Sequence, residues 1–274
     1  MNFAVIWVAG YIAPRHLEAI KAIGNKLTAA VDLSDSVGIL DRYGYDVKYG
    51  RDVNILSDVP LDWLSICTPN HLHLGHCLLG LELGANVICE KPLVIWPEQL
   101  DTLAEFEQKT GKRIYTVLQL RLHPEITDLK ASLDPSQRYQ VSVQYHTPRG
   151  LWYWQSWKGD ARKSGGLLFN IGIHLFDLLL WLFGAVEDYE LIRRGNLHGE
   201  GRLTQKRADV EWSLSICPEH ERKRLFTVDG VELDLSTGFE GLHTEVYRQT
   251  LAGNGFGIEE ARASIELCHK LTNS

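Results

Sequence analysis

The triplet Glu90-Lys91-Pro92 is the part of this sequence with the clearest capacity for chemistry. It follows directly on the apolar run of residues 86–89, which is typical of a buried strand. In open α/β sheets, ligands bind at the carboxyl ends of the strands, so Lys91 is expected to face a ligand. A lysine there predicts proton transfer or stabilisation of negative charge on a substrate. The alternative is a salt bridge from Lys91 to Glu90 or to a neighbouring acid.

A second polar group stands in the apolar segment 165–184, which begins with a Gly-Gly pair. Asn170, His174 and Asp177 are spaced i, i+4 and i+7, so a helix would place all three on one face. A single histidine in such a helix is more often a core residue, but three polar groups in a row favour a functional site. The row also favours a core helix over a membrane span. Lys91 and His174 together indicate proton and hydride transfer on an alcohol, with either residue as the base.

The first strand, turn and helix have the layout of a dinucleotide-binding fingerprint. The turn contains one glycine, Gly10, followed by Tyr11 and Ile12, so this motif is weak by itself. Asp32 closes the second predicted strand, where an acid binds the ribose hydroxyls and favours NAD over NADP. An ordinary strand-end acid is the alternative.

Residues 68–71, Thr68-Pro69-Asn70-His71, follow a third clear strand at 63–67. Such a turn faces the cofactor cleft, but it is also a common way to start a helix. His71 and His73 lack the spacing of helical metal ligands, and no zinc pattern surrounds them. We therefore expect no metal site.

Strands alternate with helices over the first 120 residues, which predicts an α/β fold with a doubly wound parallel sheet. After residue 120 the pattern changes to strands at 139–145 and 208–215 and a hairpin at 224–235 around Asp229-Gly230. These strands predict an open antiparallel sheet in an α+β domain. The expected domains are therefore residues 1–120 and 121–274.

Composition excludes several classes of protein. The net charge of −7 and the pI near 5.9 disfavour a nucleic-acid-binding surface. The five cysteines show no paired spacing and no disulfide framework, which favours a reducing cytoplasm. The first residues lack the basic region and the cleavage site of a signal peptide. We expect a cytoplasmic protein with no membrane segment.

Taken together, Glu90-Lys91-Pro92 and the run from Gly165 to His174 are similar to the two signatures of the Gfo/Idh/MocA oxidoreductase family. Within that family, the chain more closely resembles the UDP-N-acetylglucosaminuronate 3-dehydrogenases of bacterial lipopolysaccharide O-antigen synthesis. The resemblance implies an N-terminal Rossmann domain and a C-terminal domain with an open antiparallel sheet. The resemblance spans nearly the whole chain, and the stretches that carry it are residues 9–16, 88–93, 118–121, 156–160, 170–174 and 238–244.

The resemblance implies NAD-dependent oxidation of the C3 hydroxyl of a UDP-N-acetylhexosaminuronate, catalysed by Lys91 and His174. It also implies recycling of NAD by 2-oxoglutarate and a homo-oligomer formed through the C-terminal sheet. The expected cofactor contacts are Gly10, Tyr11, Ile12, Asp32, Thr68, Pro69, Asn70, His71, Glu90 and Lys91. The substrate is anionic and needs a basic lining, for which Arg121, Lys158 and Lys163 are the expected contacts. Asn170 and His174 are the other expected substrate contacts. For the lysines, simple surface solvation is the alternative.

Trp7 departs from the pattern, because the subgroup has glycine at this position of the turn. Glycine serves tight turns and close approach of a ligand, so an indole would crowd the nucleotide or shift the loop. Two alternatives therefore stay open. One is a dehydrogenase of the same family for another sugar or polyol, and the other is a catalytically silent protein that binds NAD or a nucleotide sugar.

Overall fold

The computed structural model describes residues 1–34, 38–44, 47–233, 235 and 238–274. The chain divides into two compact units, the first of residues 1–119 with 241–261 and the second of residues 120–240 with 262–274. The first boundary lies next to the predicted one at residue 120. Residues 241–261, which were predicted in the second domain, belong to the first unit.

The first unit contains a six-stranded parallel sheet with the strand order β3-β2-β1-β4-β5-β6. Its strands are β1 (Asn2–Ile6), β2 (Lys26–Val31), β3 (Lys48–Gly50), β4 (Trp63–Ile66), β5 (Asn86–Cys89) and β6 (Ile114–Thr116). Its first helices are α1 (Ala13–Ala22), α2 (Gly38–Tyr43), α3 (His73–Glu82) and α4 (Glu98–Thr110). The four residues of β4 are all buried, which agrees with its mostly apolar sequence; Ser65 is its one polar residue.

The strand order reverses at β1, which pairs with β2 on one side and with β4 on the other. Such a reversal opens a crevice at the carboxyl ends of the strands, where nucleotides bind in doubly wound folds. The predicted α/β fold with a doubly wound parallel sheet is confirmed.

The second unit contains a six-stranded sheet with the order β12-β11-β7-β10-β9-β8. Its strands are β7 (Tyr139–His146), β8 (Val186–Arg193), β9 (His198–Gln205), β10 (Ala208–Ser215), β11 (Lys223–Val228) and β12 (Val231–Glu232). Its helices are α5 (Pro124–Ser132), α6 (Leu151–Gln155), α7 (Ala161–Ser164) and α8 (Ile173–Phe183), and a π-helical turn at Leu168–Gly172 precedes α8. Alternate residues of β10 are buried, and Trp212 packs edge-on against Phe176 of α8 with ring centroids 5.3 Å apart.

This second sheet is mixed rather than purely antiparallel, because β7 and β10 pair in parallel. Parallel neighbours need a long crossover, and here the chain between them contains three helices and two further strands. Those two strands, β8 and β9, were missed by the sequence pattern. In β9, a Cβ on Gly201 would lie 2.4 Å from the carbonyl oxygen of Glu190 and 3.0 Å from Trp212. The glycines that permit this close approach also have low strand propensity, so the sequence pattern did not indicate a strand here.

The predicted hairpin around Asp229-Gly230 is present between β11 and β12. Asp229 has φ of 49° and Gly230 has φ of 79°, the left-handed values that a type I′ turn requires. The second strand of the hairpin ends at Glu232, and residue 234 of the predicted strand lies outside the described residues.

The helical run 161–183 is long and apolar enough to cross a membrane by length and composition alone. Of its most apolar window, 72% is buried inside the protein. This burial agrees with the core helix predicted for residues 165–184.

After the second sheet the chain returns to the first unit with α9 (Leu242–Leu251). Tyr247 of this helix is fully buried, with its ring centroid 5.8 Å from that of Phe3 in β1. The carbonyl oxygen of Phe256 accepts a hydrogen bond of 2.8 Å from the amide of Thr116 in β6. The last helix, α10 (Ile258–Asn273), begins in the first unit and ends in the second.

Candidate active site

The predicted cofactor residues come together at the carboxyl edge of the parallel sheet. The turn at residues 7–12 follows β1, Asp32 follows β2, residues 67–71 follow β4 and the triplet 90–92 follows β5. This gathering results from the parallel strand order and from the reversal at β1. Lys91 thus lies at the ligand-binding edge of the first unit.

The turn after β1 depends on an unusual tryptophan. Trp7 has φ of 71°, a left-handed conformation that glycine adopts easily and that costs other residues about 1–2 kcal/mol. Its carbonyl oxygen accepts a hydrogen bond of 3.0 Å from the amide of Gly10. A Cβ on Gly10 would lie only 2.4 Å from Cδ1 of the indole. Gly10 is therefore required by the neighbouring Trp7 ring.

Helix α1 begins directly after this turn and suits an anion. Its first turn carries no acid, and within the described part of the chain no side chain caps its amino end. The amino end of a helix carries partial positive charge and favours phosphate groups. In α1 the amides of Ala13 and Arg15 donate to the carbonyl oxygens of Gly10 and Ile12 at 3.2 and 3.0 Å, and Pro14 has no amide hydrogen, so the attraction comes from the helix dipole. Ile12 stands at the cap position, whereas Tyr11 is 90% exposed beside it. These features fit the pyrophosphate of a dinucleotide.

Asp32 connects the end of β2 to the same turn. Its Oδ2 accepts a hydrogen bond of 2.8 Å from the amide of Ala9, and its Oδ1 accepts one of 2.8 Å from the amide of Ser34. The side chain is buried, so both contacts fix the carboxylate in place. Each oxygen keeps a second lone pair, which is what a ribose hydroxyl needs. The ribose contact itself stays a prediction.

The turn after β4 is anchored by histidines of α3. The backbone oxygen of Thr68 lies 2.9 Å from Nε2 of His73, and the Thr68 hydroxyl lies 3.1 Å from Nδ1 of His76. Asn70 is buried in this turn, whereas His71 is exposed. Pro69 precedes a short 3-10 turn that leads into α3. The turn therefore serves both of the uses considered for it, as the start of a helix and as part of the sheet edge.

Glu90 is buried and is hydrogen-bonded to two histidines. Its Oε1 accepts hydrogen bonds from Nε2 of His16 at 3.1 Å and from Nε2 of His243 at 3.0 Å. Burial opposes ionisation, but these two hydrogen bonds outweigh it and hold the pKa of Glu90 well below its usual range. The other carboxylate oxygen accepts from the amide of Lys91 at 3.3 Å, and the following Lys91–Pro92 peptide bond is cis.

His16 and His243 were missed as site residues by the sequence argument. Both lie in stretches that carry the family resemblance, but they are far apart in sequence and in no recognisable spacing. With Glu90 they form a buried group whose atoms have the donor types of a metal site. Their separations of 3.0 and 3.1 Å are hydrogen-bond lengths, and the imidazole protons account for both contacts. The arrangement is therefore a hydrogen-bonded network.

The second unit contains the other predicted catalytic residue, His174, half-buried in the first turn of α8. Asn170 lies in the π-helical turn before it and donates a hydrogen bond of 2.8 Å to the Tyr153 hydroxyl. The π-turn interrupts the regular helix on which the row of polar residues was predicted. Such turns are frequent at functional sites because they redirect side chains.

Arg121 and Asp177 form a buried ion pair in the second unit. Nε and Nη2 of the arginine donate to the two carboxylate oxygens at 2.9 and 2.6 Å. Burial raises the pKa of Asp177, although Arg121 opposes this effect. The third member of the polar row is thus an ion-pair partner. Arg121, predicted to bind substrate, has two of its nitrogens engaged by this carboxylate.

A cluster of basic and aromatic side chains surrounds α6. The guanidinium of Arg149 lies 5.7 Å from the centre of the Trp152 ring, and the ammonium of Lys158 lies 5.9 Å from the same ring. Nε of Arg149 is buried and has no hydrogen-bond partner among the described residues. Lys158 is half-buried here, whereas Lys163 is exposed on α7. We call Arg149, Trp152 and Lys158 the basic cluster; an oxyanion would satisfy the Arg149 donor.

The chain matches two profiles of one family. Residues 1–118 match the oxidoreductase family described as GFO_IDH_MocA, NAD-binding Rossmann fold, and residues 137–209 match its C-terminal alpha/beta domain. Among curated proteins, the chain is 27% identical to the D-glucoside 3-dehydrogenase of Escherichia coli (strain K12) over 187 residues, 66% of this chain. The alignment spans 52% of that protein, so the chain covers about half the length of this relative.

Two solved structures cover almost the whole chain. The WlbA (WbpB) dehydrogenase from Thermus thermophilus in complex with NAD and alpha-ketoglutarate is 43% identical, with a TM-score of 0.94 over 99% of this chain and 94% of that one. The same enzyme in complex with NAD and UDP-GlcNAcA is 44% identical, with a TM-score of 0.92 and the same coverage. The WlbA dehydrogenase from Chromobacterium violaceum, at 20% identity, shares the fold.

We expect Gly10→Ala to destabilise the protein, because the new methyl group would collide with the Trp7 indole. The double variant Trp7→Gly/Gly10→Ala removes the indole and should recover most of the loss. Thermal denaturation of wild type, both single variants and the double variant measures this coupling. Strictly additive effects would show that the contact does not matter.

We expect Asp177→Ala to lower the free energy of unfolding by about 3–5 kcal/mol, because it leaves the Arg121 charge buried without this partner. The double variant Arg121→Met/Asp177→Leu removes both charges and should be clearly more stable than Asp177→Ala. Urea denaturation followed by circular dichroism compares them. A double variant as unstable as the single one would contradict this account.

We expect acid to destabilise the first unit through His76, whose pKa burial lowers to about 4. In the unfolded chain His76 takes up a proton near pH 6.5, whereas in the folded protein it does so only near pH 4. The free energy of unfolding is therefore unaffected by His76 above pH 6.5 and decreases as the pH falls from 6.5 towards 4. The loss is at most about 1.4 kcal/mol per pH unit, and less because the ring is partly solvated. Urea denaturation between these pH values should show a smaller loss for His76→Gln. An equal loss in both proteins would rule His76 out as a cause.

Proposed function

Since this chain belongs to the Gfo/Idh/MocA oxidoreductase family, we propose that it is an NAD-dependent dehydrogenase that oxidises the C3 hydroxyl of UDP-N-acetylglucosaminuronate. The observation that carries the proposal is the likeness, at 44% identity over 99% of the chain, to a dehydrogenase crystallised with NAD and this sugar nucleotide. Lys91 and His174 are the two proposed catalytic groups.

The first unit supplies the cofactor site. The positive end of the α1 dipole, which has no acid in its first turn, is the proposed site of the pyrophosphate, and the fixed carboxylate of Asp32 is the proposed ribose contact. NAD, when bound, accepts the hydride that leaves C3 of the sugar. Lys91 lies at the carboxyl edge of the sheet, where it orients the substrate hydroxyl and stabilises negative charge on its oxygen.

His174 is the proposed base that takes the hydroxyl proton, and Lys91 is the alternative. As the O–H bond breaks, its electron pair forms the second bond of the C3 carbonyl. The hydrogen on C3 leaves with the electron pair of the C–H bond, as a hydride. The products are a 3-keto sugar nucleotide, reduced cofactor and one proton. Residues of the second unit then need to hold a substrate that carries a diphosphate and a carboxylate.

The basic cluster is the proposed site for these anionic groups. Arg149 offers a buried N–H, and Lys158 offers an ammonium next to the same Trp152 ring. Lys163, being exposed, is a second contact for charge. Asn170 completes the proposed set of substrate residues beside His174.

Three further features belong to the same proposal. First, 2-oxoglutarate oxidises the reduced cofactor and becomes 2-hydroxyglutarate, as the complex of the relative with alpha-ketoglutarate suggests. Second, the 3-keto product serves a bacterial surface polysaccharide such as O-antigen, made in the cytoplasm. Third, the exposed face of the second sheet pairs with another copy of the chain.

A dehydrogenase for a free sugar or polyol is the second candidate function. It is favoured by the curated relatives, which include the D-glucoside 3-dehydrogenase and the inositol 2-dehydrogenases of Salmonella, each aligned over about two thirds of this chain. A free polyol has no diphosphate and does not need the basic cluster. A silent binding protein is the third candidate, because Trp7 occupies the cofactor turn.

We expect purified protein to reduce NAD with UDP-N-acetylglucosaminuronate, followed by absorbance of the reduced nicotinamide. Adding 2-oxoglutarate should suppress that absorbance and produce 2-hydroxyglutarate. Lys91→Met and His174→Asn should each lower kcat by about 10²–10⁴-fold while the circular dichroism spectrum is unchanged. Arg149→Ala and Lys158→Ala should raise KM for the sugar nucleotide.

Two results would overturn this proposal. Turnover of inositol or glucose without turnover of the sugar nucleotide, unaffected by Arg149→Ala or Lys158→Ala, would establish the polyol alternative. Binding of UDP-sugar in calorimetry without binding of NAD would establish the silent alternative.

A further inference from the structure

The Glu90-Lys91-Pro92 triplet is fixed on both sides of its lysine by buried histidines. Before the lysine, His16 and His243 both donate to Oε1 of Glu90. After it, the carbonyl oxygen of Pro92 lies 2.7 Å from Nδ1 of His73. All three rings belong to the first unit and are at most 8% exposed. We call His16, His73 and His243 the histidine clamp.

The His16 arm of the clamp continues into the core. Nδ1 of His16 lies 2.8 Å from the Tyr247 hydroxyl, which lies 2.6 Å from the Ser65 hydroxyl. Because Nε2 of neutral His16 carries the proton given to Glu90, Nδ1 must accept from Tyr247. Burial lowers the pKa of His16, which favours this neutral form. The Ser65 hydroxyl then donates to Tyr247, so one proton assignment satisfies every contact from β4 to Glu90.

The His73 arm connects two turns of the sheet edge. One ring nitrogen faces the carbonyl of Pro92, and the other faces the carbonyl of Thr68 at 2.9 Å. Carbonyl oxygens only accept, so the neutral ring satisfies one of them and the protonated ring satisfies both. Burial lowers the pKa of His73, whereas the two carbonyls raise it. Glu90, Lys91 and His76 are the charged or titratable groups that act on this ring in the described first unit.

We propose that the histidine clamp positions Lys91 for catalysis. Helix α9, which supplies His243 and Tyr247, therefore contributes positioning residues to the nucleotide-binding unit. The inference rests on the proposed role of Lys91 in the dehydrogenase reaction. Glu90 is ionised and held at one oxygen by two donors, while its second oxygen accepts from the Lys91 amide. The clamp residues act through the backbone of the triplet and do not themselves react.

The test compares two substitutions at one site. His243→Leu removes the donor, whereas His243→Gln keeps an N–H that can reach Glu90. His269→Leu, on α10, is the matched control for loss of a half-buried histidine elsewhere. The measurements are kcat and KM with the sugar nucleotide, the Kd of NADH from fluorescence, and hydrogen exchange of residues 90–95 without substrate.

We expect His243→Leu to lower kcat by about 10²-fold, the effect of misplacing a catalytic group by about 1 Å. KM and the Kd of NADH should stay within about threefold of wild type, because the change acts on the reacting centre. His243→Gln should recover most of kcat, and His269→Leu should not change it. Amides of residues 90–95 should exchange faster in His243→Leu than in His243→Gln.

Three results would each overturn the clamp. The first is an unchanged kcat in His243→Leu. The second is an equal loss of kcat in His243→Leu and His243→Gln that parallels the fall in their melting temperatures. The third is a stoichiometric metal ion in the purified protein, detected by mass spectrometry. If His243→Leu does not fold, Tyr247→Phe removes one hydroxyl at constant ring volume. It should lower kcat in the same direction, and unchanged kcat would again refute the clamp.

The exchange measurement needs no substrate. If wild type oxidises no sugar nucleotide, the proposed function fails while exchange at residues 90–95 still decides whether the histidines hold the triplet. If wild type is active and exchange and kcat are both insensitive to His243→Leu, the clamp fails alone.

Discussion

An ionised carboxylate in a protein interior must be surrounded by hydrogen-bond donors, because the unpaired charge is too costly to bury. Glu90 imposes this requirement on the whole first unit. One donor comes from α1, which also presents its amino end to the cofactor edge, and the other comes from α9, more than a hundred residues later. The return of the chain to the first unit brings His243 to this carboxylate, and Tyr247 of the same helix is hydrogen-bonded to His16, the other donor.

The turn after β1 shows a different kind of constraint. In dinucleotide-binding turns, glycine allows a ligand to approach the backbone. Here Gly10 has a near neighbour inside the protein, the Trp7 indole, and Trp7 itself adopts the left-handed conformation. The glycine of this turn therefore makes room for a side chain of the same turn. Asp32 stabilises the result from the opposite side through the amide of Ala9.

The parallel sheet and the two-unit α/β fold could be predicted from the sequence, since β1, β4 and β5 are short, mostly apolar runs between helical patterns. The second sheet could be predicted only in part, because β9 depends on glycines beneath Trp212 and the parallel pairing of β7 with β10 depends on tertiary contacts. In the site, local motifs identified Lys91 and Asp32. His16 and His243 carried no local signal, since their role arises only when α1 and α9 meet at Glu90. Arg121 was expected at the substrate for its charge, but charge alone does not reveal a buried partner such as Asp177.

The late return of residues 241–261 has a consequence for how the protein is made. Proteins are synthesised from the amino end, and early domains commonly fold while the rest of the chain is still being added. Residues 1–119 leave the ribosome with all six strands of the first sheet, but without His243 and Tyr247. Until residues 243 and 247 emerge, the Glu90 carboxylate lacks one of its donors and the space of the Tyr247 ring is unfilled. The nucleotide-binding unit is therefore completed only after all six strands of the second sheet have been synthesised.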